Sequence, residues 1–405
     1  MRERIGSHPP PAANSCLRVF LLTVFAMVLA GCSGTGSEGA GGTIDRETTA
    51  GETAARTGGG EETTSEERVA GEVERMEIRD AVGQMFVVGM TGTEPDGYVE
   101  GMIRDRNIGG ILFFGYNMQG EQQTRSLTEE LQGLSTEKGP PVPLLIAADH
   151  EGGEVAHAPW VAPEPSAAEI GGRGDPEEAR AASERIGRSL LRAGVNTNFA
   201  PVVDAGDGAA IGSRSFGSDP ELVGRMGAAA VEGYEAAGIV SAAKHFPNHG
   251  PARADSHVGQ PVVDHDMQTV RTVDLPPFRR AVEAGVPMVM VGHLIYPAID
   301  PDRPTSLSPE ALRLLREDLG FGGVIITDDL SMEGALQGGS TARAAVAAVA
   351  AGADMMIVSG SAAEQAAAHE AVVQAVESGE IPREQVEASV ERILEVKREH
   401  GLRER

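Results

Sequence analysis

Short runs of apolar and β-branched residues recur along the chain, and each is followed by a polar loop and an amphipathic stretch that ends near a glycine. The amphipathic stretches begin with acidic residues or proline, as helices do. Eight alternations of strand and helix predict an α/β fold with a single (β/α)8 barrel of the TIM type; an open doubly wound sheet is the alternative. The runs occupy residues 84–90, 110–114, 144–149, 197–204, 240–245, 288–293, 324–328 and 354–359.

Charged or imidazole side chains end several of these runs. They are Asp149, Asp204, Lys244 with His245, His293, and Asp328 with Asp329. In a parallel barrel all carboxyl ends of the strands open onto one face, which is where such barrels carry their active sites. Aspartates that only cap the next helix are the alternative explanation for any single strand. Because so many strand ends carry such side chains, the sequence predicts one polar site at this face.

The N-terminal segment has the features of a targeting signal. Arginines precede an apolar run at residues 19–30, which is too short to span a bilayer. The sequence Leu29-Ala30-Gly31-Cys32 resembles a bacterial lipobox, whose cysteine is lipidated and becomes the mature N-terminus. We therefore expect a lipoprotein signal peptide over residues 1–31, and an extracytoplasmic protein anchored to the cell membrane by lipid at Cys32.

Residues 32–75 consist mainly of Gly, Thr, Ser, Glu and Ala. Such a segment buries too little apolar surface to offset the entropy lost on ordering, which predicts a disordered acidic linker. The barrel domain is then expected over residues 76–401. Two helical patterns, 362–379 and 382–400, close it, and the second is expected to pack against the barrel exterior.

Charge and cysteine content exclude several functions. A formal net charge of −26 over 405 residues argues against a nucleic-acid partner, because an acidic surface gains nothing from counterion release. Of the two cysteines, Cys16 leaves with the signal and Cys32 carries lipid, so no thiol remains for a disulfide, for catalysis or for zinc. We expect a monomer that meets the membrane only through its lipid.

The segment "KHFPNHGPARADSH" at residues 244–257 holds three of the ten histidines in the chain. No glycine-rich phosphate fingerprint follows the first run, so nucleotide binding is unsupported. One alternative is a metal site built from His245, His249, Asp255, His257 and His293. The helical His-x-x-x-His spacing with its glutamate does not occur, which disfavours a metal. The remaining hypothesis is a carboxylate nucleophile with a separate proton donor. These two groups are the minimum for cleaving a glycosidic bond with retention.

The same segment resembles the Lys-His-Phe-Pro-Gly-His-Gly…Asp-Ser-His signature of glycoside hydrolase family 3, in the branch of bacterial exo-β-N-acetylglucosaminidases. Other segments are similar to family segments in the family's order over residues 78–400. They read "GQMFVVGM", "IGGILFFGYN", "AADHEGG", "NTNFAPVVD", "IGSRSF", "MVGHLIYPAID" and "GFGGVIITDDLSMEGA". The resemblance implies a glycosidase that needs neither cofactor nor metal.

The resemblance also implies a role for each matching residue. Asp328 matches the nucleophile, His257 the general acid/base, and Asp255 the carboxylate that orients His257. The residues that match those holding the hydroxyls of the cleaved sugar are Asp149, Arg214, Lys244 and His245.

Elementary chemistry supports these roles. Asp328 ends a buried strand, where a neighbouring cation such as Lys244 would keep it ionised and nucleophilic. Lys244 itself must meet Asp328 or a substrate oxygen, because burying it unpaired is costly. Asp255 and His257 are two residues apart, so an extended backbone points both side chains the same way and within one hydrogen bond.

Two departures from the family pattern bear on the site. Asn248 replaces the glycine of the Pro-Gly-His turn, and we expect it to tolerate a positive φ there. Glu154 and His157 stand where the family usually has an arginine close behind Asp-Gln-Glu-Gly-Gly. They leave the glycan specificity less defined than the mechanism. Phe114, Phe199 and Phe246 are expected to line the barrel or core rather than to stack on sugar.

The function implied is a retaining exo-β-N-acetylglucosaminidase acting on terminal N-acetylglucosamine of peptidoglycan fragments or chitin-like oligosaccharides. Within the same family a β-N-acetylglucosaminide phosphorylase is an alternative, because an imidazole repels incoming phosphate less than a glutamate would. A β-glucosidase is another, although it normally needs additional domains. A protein that binds wall sugar without cleaving it is the alternative from a different class.

Overall fold

The computed structural model describes residues 65–137, 142–208, 210–252 and 259–402. Its strands are β1 Phe86–Gly89, β2 Gly110–Phe113, β3 Leu145–Ala148, β4 His150–Gly152, β5 Val155–Ala156, β6 Thr197–Asn198, β7 Val240–Phe246, β8 Met288–Val291, β9 Val324–Asp329 and β10 Met355–Val358. Its helices are α1 Ser65–Val73, α2 Ile78–Gln84, α3 Gly97–Arg106, α4 Glu121–Ser135, α5 Ala167–Arg173, α6 Pro176–Arg192, α7 Pro220–Ala237, α8 Met267–Thr269, α9 Leu275–Glu283, α10 Pro309–Arg313, α11 Glu333–Leu336, α12 Thr341–Ala351, α13 Ala362–Glu377 and α14 Arg383–Glu399. Short π-helical segments, Val270–Asp274 and Leu314–Asp318, continue α8 and α10.

Eight of the strands form a closed parallel barrel in the order β1-β10-β9-β8-β7-β6-β3-β2. Each of the eight predicted runs overlaps one barrel strand, and β4 and β5 form a separate antiparallel hairpin. The predicted (β/α)8 barrel is therefore confirmed, and the open doubly wound sheet is wrong.

The barrel strands are buried on both faces. All seven residues of β7 are buried, as are all four of β1, β2, β3, β8 and β10. Helices cover the outside of a parallel barrel, so both faces of each strand are buried and its sequence is a continuous apolar run. The burial of the strands therefore explains the apolar runs in the sequence. The charged and imidazole residues of β7 and β9 lie at their carboxyl ends, where the barrel opens.

The outer helices begin at their capping residues. In α6 and α7 an Asp-Pro pair starts the helix, with the carboxylate of Asp175 or Asp219 accepting from the backbone N–H two residues on, at 3.1 Å in both. An aspartate cap satisfies an unpaired amide, and proline at the first position fixes φ in the helical range. This chemistry confirms the predicted helix starts.

The ends of the described chain pack together. Helix α14 buries Val386, Val390 and Ile393 against the barrel side, as predicted. Helix α1 packs on α14 through Val69 and Val73, which are part of the core. The linker predicted over residues 32–75 is therefore wrong for 65–73, because two valines four residues apart give this polar stretch one apolar helical face.

The remaining N-terminal predictions fall on residues that the structure does not describe. The signal peptide over residues 1–31, the lipidation site Cys32 and the linker up to residue 64 lie outside the described residues. Within the described ranges, no helix combines the length and apolar character needed to cross a bilayer.

A close contact between α5 and the segment carrying Arg214 gives a test of the packing. A Cβ at Gly171 would lie 1.8 Å from the backbone oxygen of Phe216, whereas a Cβ at Gly172 would meet no heavy atom within 4 Å. We expect Gly171→Ala to lower the free energy of unfolding by about 1–3 kcal/mol, because backbone must move. Gly172→Ala should leave it unchanged or raise it by up to about 1 kcal/mol, since alanine favours helix.

Urea unfolding followed by circular dichroism measures both glycine variants. Equal stabilities for the two would contradict the packing of α5 against the Phe216 segment.

Candidate active site

Five residues predicted for the site lie together at the carboxyl end of the barrel. Asp149 follows β3, Lys244 and His245 end β7, and Asp328 ends β9. Arg214 ends a short 3₁₀ turn in the loop after β6 and reaches the same charge cluster. The topology thus gathers residues that are 179 positions apart between Asp149 and Asp328.

Lys244 is the buried centre of this cluster, with 2% of its surface exposed. Its Nζ donates to Oδ1 of Asp149 at 2.5 Å and lies 2.8 Å from Oε1 of Glu151. Burial acts to lower the pKa of Lys244, but the two carboxylates outweigh it and raise the pKa. The prediction that Lys244 meets Asp328 or substrate is incomplete, because its direct partners are Asp149 and Glu151.

Glu151 is a member of the site that the sequence did not suggest. Its side chain is buried and binds Arg214 through both oxygens, Oε2 at 2.8 Å from Nε and Oε1 at 2.7 Å from Nη2. Burial acts to raise the pKa of Glu151, but Lys244 and Arg214 lower it to about 2. The sequence signal that could have revealed Glu151 is its place as a charged residue between Asp149 and the two glycines of "DHEGG".

The cluster is thus a chain of alternating charges in the order Asp149, Lys244, Glu151 and Arg214. A forked guanidinium–carboxylate pair is rigid as well as strong. Arg214 keeps its guanidinium in place with a further bond from Nη1 to the backbone oxygen of Ala210, at 3.2 Å. The side chains available for sugar hydroxyls are therefore held before any ligand arrives.

Asp204 fixes His245 from below. It is fully buried and accepts from the backbone N–H of His245 at 3.1 Å and of His249 at 2.6 Å. It also lies 2.8 Å from Nδ1 of His245, and because a carboxylate only accepts, this ring nitrogen carries the proton. Asp204 thus binds two backbone amides and the ring of His245 below the barrel opening.

Asp328 is held as an ionised carboxylate. Burial acts to raise its pKa, but His245, His293, the amide of Asp329 and Lys244 together lower it to about 2. The Asp329 N–H donates to Oδ1 of Asp328 at 2.8 Å. The expected effect of Lys244 is present, but the two histidines contribute more.

His293 supports the same strand end. It is fully buried, with Nε2 3.0 Å from the backbone oxygen of Asp329 and Nδ1 2.7 Å from Oγ of Ser306. Burial lowers the pKa of His293, whereas the charge of Asp328 and the backbone of Asp329 act to raise it. A carbonyl oxygen only accepts, so Nε2 carries a proton and donates to Asp329. His293 therefore sets the path of the backbone beside Asp328.

Asn248 keeps the turn after β7 in place by a different means from the one expected. Among the described residues, the non-glycine positions with positive φ are Asn107 and Gln337, so the positive φ expected at Asn248 is wrong. Its buried amide instead binds both backbone groups of Ala205 at 3.0 Å and Oδ1 of Asp274 at 2.8 Å.

The loop beyond this turn contains the other two residues assigned to catalysis. Asp255 and His257 lie outside the described residues, so their roles stay predictions.

The departures at the β4–β5 hairpin lie beside the cluster. Glu154 is exposed and accepts from Oγ of Ser213, the neighbour of Arg214, at 2.6 Å. His157 is half-buried, and within the described residues its Nδ1 is buried without a hydrogen-bond partner. Neither residue joins the alternating charges around Lys244.

The predicted barrel-lining aromatic residues divide into two groups. Phe199 and Phe246 are buried in the core, as expected, and Phe246 packs edge-to-face on Phe278. Phe114 is half-buried at the end of β2.

A large cavity lies away from this site. A cavity of about 1270 Å³ lies at the opposite end of the barrel, lined by the loops that precede β8 and β9 and by α14. Its lining contains none of the strand-end residues described above. The chemistry therefore points to the carboxyl-end cluster, where ionised and neutral polar groups converge.

The described residues contain no cluster of three or more His, Cys, Asp or Glu side chains arranged to hold a metal ion. The arrangement offers an ionised carboxylate at Asp328, facing preformed hydrogen-bonding groups on β3 and β7. A carboxylate in this state can attack an electrophilic carbon, while the charged neighbours bind hydroxyl groups around it.

Glu151 allows a test of the buried charges. Its pKa of about 2 lies below the ordinary 4.5, so its stabilisation is complete above pH 4.5 and is lost as pH falls towards 2. We expect Glu151→Gln to lower the free energy of unfolding at pH 7 by about 3 kcal/mol, because it leaves buried Lys244 underpaired. The deficit should shrink as pH falls below 4.5.

Urea unfolding at several pH values measures this change, with Glu154→Gln as a matched control on the exposed side of the hairpin. Equal stability of the two variants at pH 7 would show that the charge of Glu151 does not stabilise the fold by pairing with Lys244 and Arg214.

Known proteins are similar to this chain along most of the described region. Residues 77–396 match the family described as "Glycosyl hydrolase family 3 N terminal domain". A β-hexosaminidase A from Pseudoalteromonas piscicida is 38% identical over 255 residues, which is 58% of this chain and 42% of that protein. A β-hexosaminidase from Hydrogenovibrio crunogenus is 37% identical over 264 residues, or 63% of this chain and 72% of that protein.

Solved structures share the fold at similar identity. The family 3 β-N-acetylglucosaminidase from a Paenibacillus species superimposes with a TM-score of 0.78 at 38% identity, covering 81% of this chain and 63% of that one. The β-N-acetylhexosaminidase from Beutenbergia cavernae gives a TM-score of 0.74 at 31% identity, covering 80% of this chain and 98% of that one.

The family match, the barrel and the carboxyl-end cluster agree, and the chain belongs to glycosyl hydrolase family 3.

Proposed function

We propose that this chain is a retaining exo-β-N-acetylglucosaminidase that forms a covalent glycosyl-enzyme at Asp328. The observation that carries the proposal is the position of Asp328 at the end of β9, where the barrel opens beside Lys244 and His245. These neighbouring groups favour its ionised form and lower its pKa. A nucleophile must be deprotonated, and this one is surrounded by groups suited to binding hydroxyls.

The charge cluster supplies the pocket for the sugar. Asp149 after β3 and Lys244 on β7 contact each other at the barrel opening, although β6 separates their strands, and His245 follows Lys244 directly. An exo-acting enzyme must bind several hydroxyls of one terminal ring, and a set of fixed donors and acceptors does so at low entropic cost. Arg214 joins the set through Glu151.

The reaction is a double displacement. A carboxylate oxygen of Asp328 attacks the anomeric carbon while the bond to the leaving oxygen breaks, and His257 gives that oxygen its proton. His257 then takes a proton from water, whose oxygen attacks the anomeric carbon while the bond from that carbon to Asp328 breaks. The sugar leaves with its β configuration, and the Asp328 carboxylate is regenerated. Asp255 orients the imidazole and favours its protonated form. The roles of Asp255 and His257 rest on the resemblance of "ADSH" to the family signature.

The choice of N-acetylglucosamine rests on the relatives. Curated relatives are named β-hexosaminidases and a structural relative is a β-N-acetylglucosaminidase, each at 37–38% identity. The alignment spans 42% of the Pseudoalteromonas protein and 63% of the Paenibacillus chain. We extend the specificity to this chain because the residues of the sugar pocket lie within the aligned family domain.

The cellular substrate follows from the location that the sequence suggests. A lipid on Cys32 would tether the enzyme outside the cell membrane, next to peptidoglycan. Fragments with a terminal β-linked N-acetylglucosamine are then the nearest substrate, and chitin-like oligosaccharides carry the same terminal group. A carbohydrate is the only partner that this function requires.

Trapping tests the nucleophile. A fluorinated N-acetylglucosamine donor should label the intact enzyme covalently, and peptide mapping should find the label on the peptide "IITDDL" at Asp328. Asp328→Asn should lose label and turnover together, with a loss of at least about 10⁴-fold, because the covalent route is gone. Label on a different residue, or full turnover by Asp328→Asn, would refute the assignment.

Replacement of His257 tests the proton donor. His257→Ala should hydrolyse N-acetylglucosaminides of natural leaving groups about 10²–10⁴-fold more slowly, because an alkoxide leaves poorly without a proton. Formation of the glycosyl-enzyme from a nitrophenyl glycoside should continue near the parent rate, since nitrophenolate needs no proton. Pre-steady-state release of nitrophenol measures this step. Parent rates on both substrate classes would exclude His257 as the acid.

A further inference from the structure

Two aromatic rings stack at the opening of the barrel beside the sugar pocket. Phe114 and Tyr116 follow β2, with ring centroids 5.5 Å apart and planes inclined by 17°. Phe114 packs against the core, whereas 56% of Tyr116 is exposed. In the described part of the chain, Tyr116 and Val262 are the large apolar residues left exposed. An exposed aromatic face at a rim of polar side chains is suited to cover an apolar face of a ligand.

The ring of Tyr116 is fixed in position. Its hydroxyl donates to the backbone oxygen of Met90 at 3.3 Å. The buried Asn117 holds the same turn, accepting from the N–H of Phe114 at 2.8 Å and donating to the backbone oxygen of Gly92 at 2.6 Å. The hydroxyl is thus bound to the protein, and the ring is the part that remains for a ligand. Fixed rings lose little entropy on binding.

Strand pairing sets the position of these rings. Strands β2 and β3 run parallel with Phe113 opposite Ala148, so the next residues, Phe114 and Asp149, leave the barrel side by side. Asp149 binds Lys244 in the sugar pocket. The turn also approaches the end of the β4–β5 hairpin, since a Cβ at Gly115 would lie 3.8 Å from the backbone oxygen of His157. The rings therefore flank the pocket on its β2 side.

We infer that Tyr116, backed by the ring of Phe114, is a stacking platform for the second sugar ring of the substrate, the one linked to the terminal residue being cleaved. This inference rests on the proposed function, in which the terminal ring occupies the pocket beside Asp149. The next ring of a β-linked chain must leave that pocket at the rim. A pyranose ring presents a face of C–H groups, which an exposed aromatic face covers favourably.

The platform predicts a preference for substrates with a sugar on the leaving side. It adds no group to the chemical step, and it acts by holding the leaving sugar while Asp328 attacks. Tyr116 is therefore a specificity residue rather than a catalytic one.

Calorimetric titration of the full chain carrying Asp328→Asn, which cannot turn over, separates the two subsites. The probes are N-acetylglucosamine, which reaches the pocket alone, and N,N′-diacetylchitobiose, which also reaches the platform. Adding Tyr116→Ala or Tyr116→Leu should weaken disaccharide binding about tenfold and leave monosaccharide binding unchanged. Tyr116→Phe, which keeps the ring, should preserve both affinities.

Each other result overturns the inference. Unchanged disaccharide binding in Tyr116→Ala and Tyr116→Leu would mean that no sugar stacks there. Equal weakening for both sugars would mean that Tyr116 only supports the pocket. Failure of the Asp328→Asn protein with intact Tyr116 to bind either sugar would refute the proposed sugar pocket itself, and the platform with it.

Discussion

A buried ammonium group must be paired, and the pairing of Lys244 organises the open end of this barrel. Its partners come from the segment after β3, and one of them, Glu151, continues the pairing to Arg214 in the loop after β6. Isolated burial of any of these charges is prohibitively costly, whereas the alternating set is stable. The need to neutralise Lys244 therefore fixes three separate parts of the chain around one pocket.

The closed barrel makes this pairing possible. Parallel strands place Asp149, Lys244 and Asp328 at one end although they are far apart in sequence. A second layer of hydrogen bonds then sets the orientation of the reacting groups. Asp204 holds His245 and His293 holds the backbone next to Asp328. These supports explain how a buried strand end keeps an ionised carboxylate.

The sequence predicted most of the barrel because each strand is a continuous apolar run between polar loops. It predicted the strand-end residues because topology alone brings them together. Glu151 was missed, since its importance comes from two cations that lie far from it in the sequence, one on strand β7 and one in the loop after β6. Asn248 was misread, because a side chain that bonds to Ala205 and Asp274 looks in sequence like a residue chosen for its backbone. Helix α1 was missed because two valines give little signal without α14 beside them.

The central claim is that one sugar ring fits among Asp149, Lys244 and His245 with its anomeric carbon at Asp328. A crystal structure of the enzyme soaked in N-acetylglucosamine tests it most directly. The account predicts sugar hydroxyls bound to Asp149 and Lys244, and the anomeric carbon about 3–3.5 Å from a carboxylate oxygen of Asp328. Sugar bound instead in the cavity at the opposite end of the barrel, with the Lys244 cluster unliganded, would contradict it.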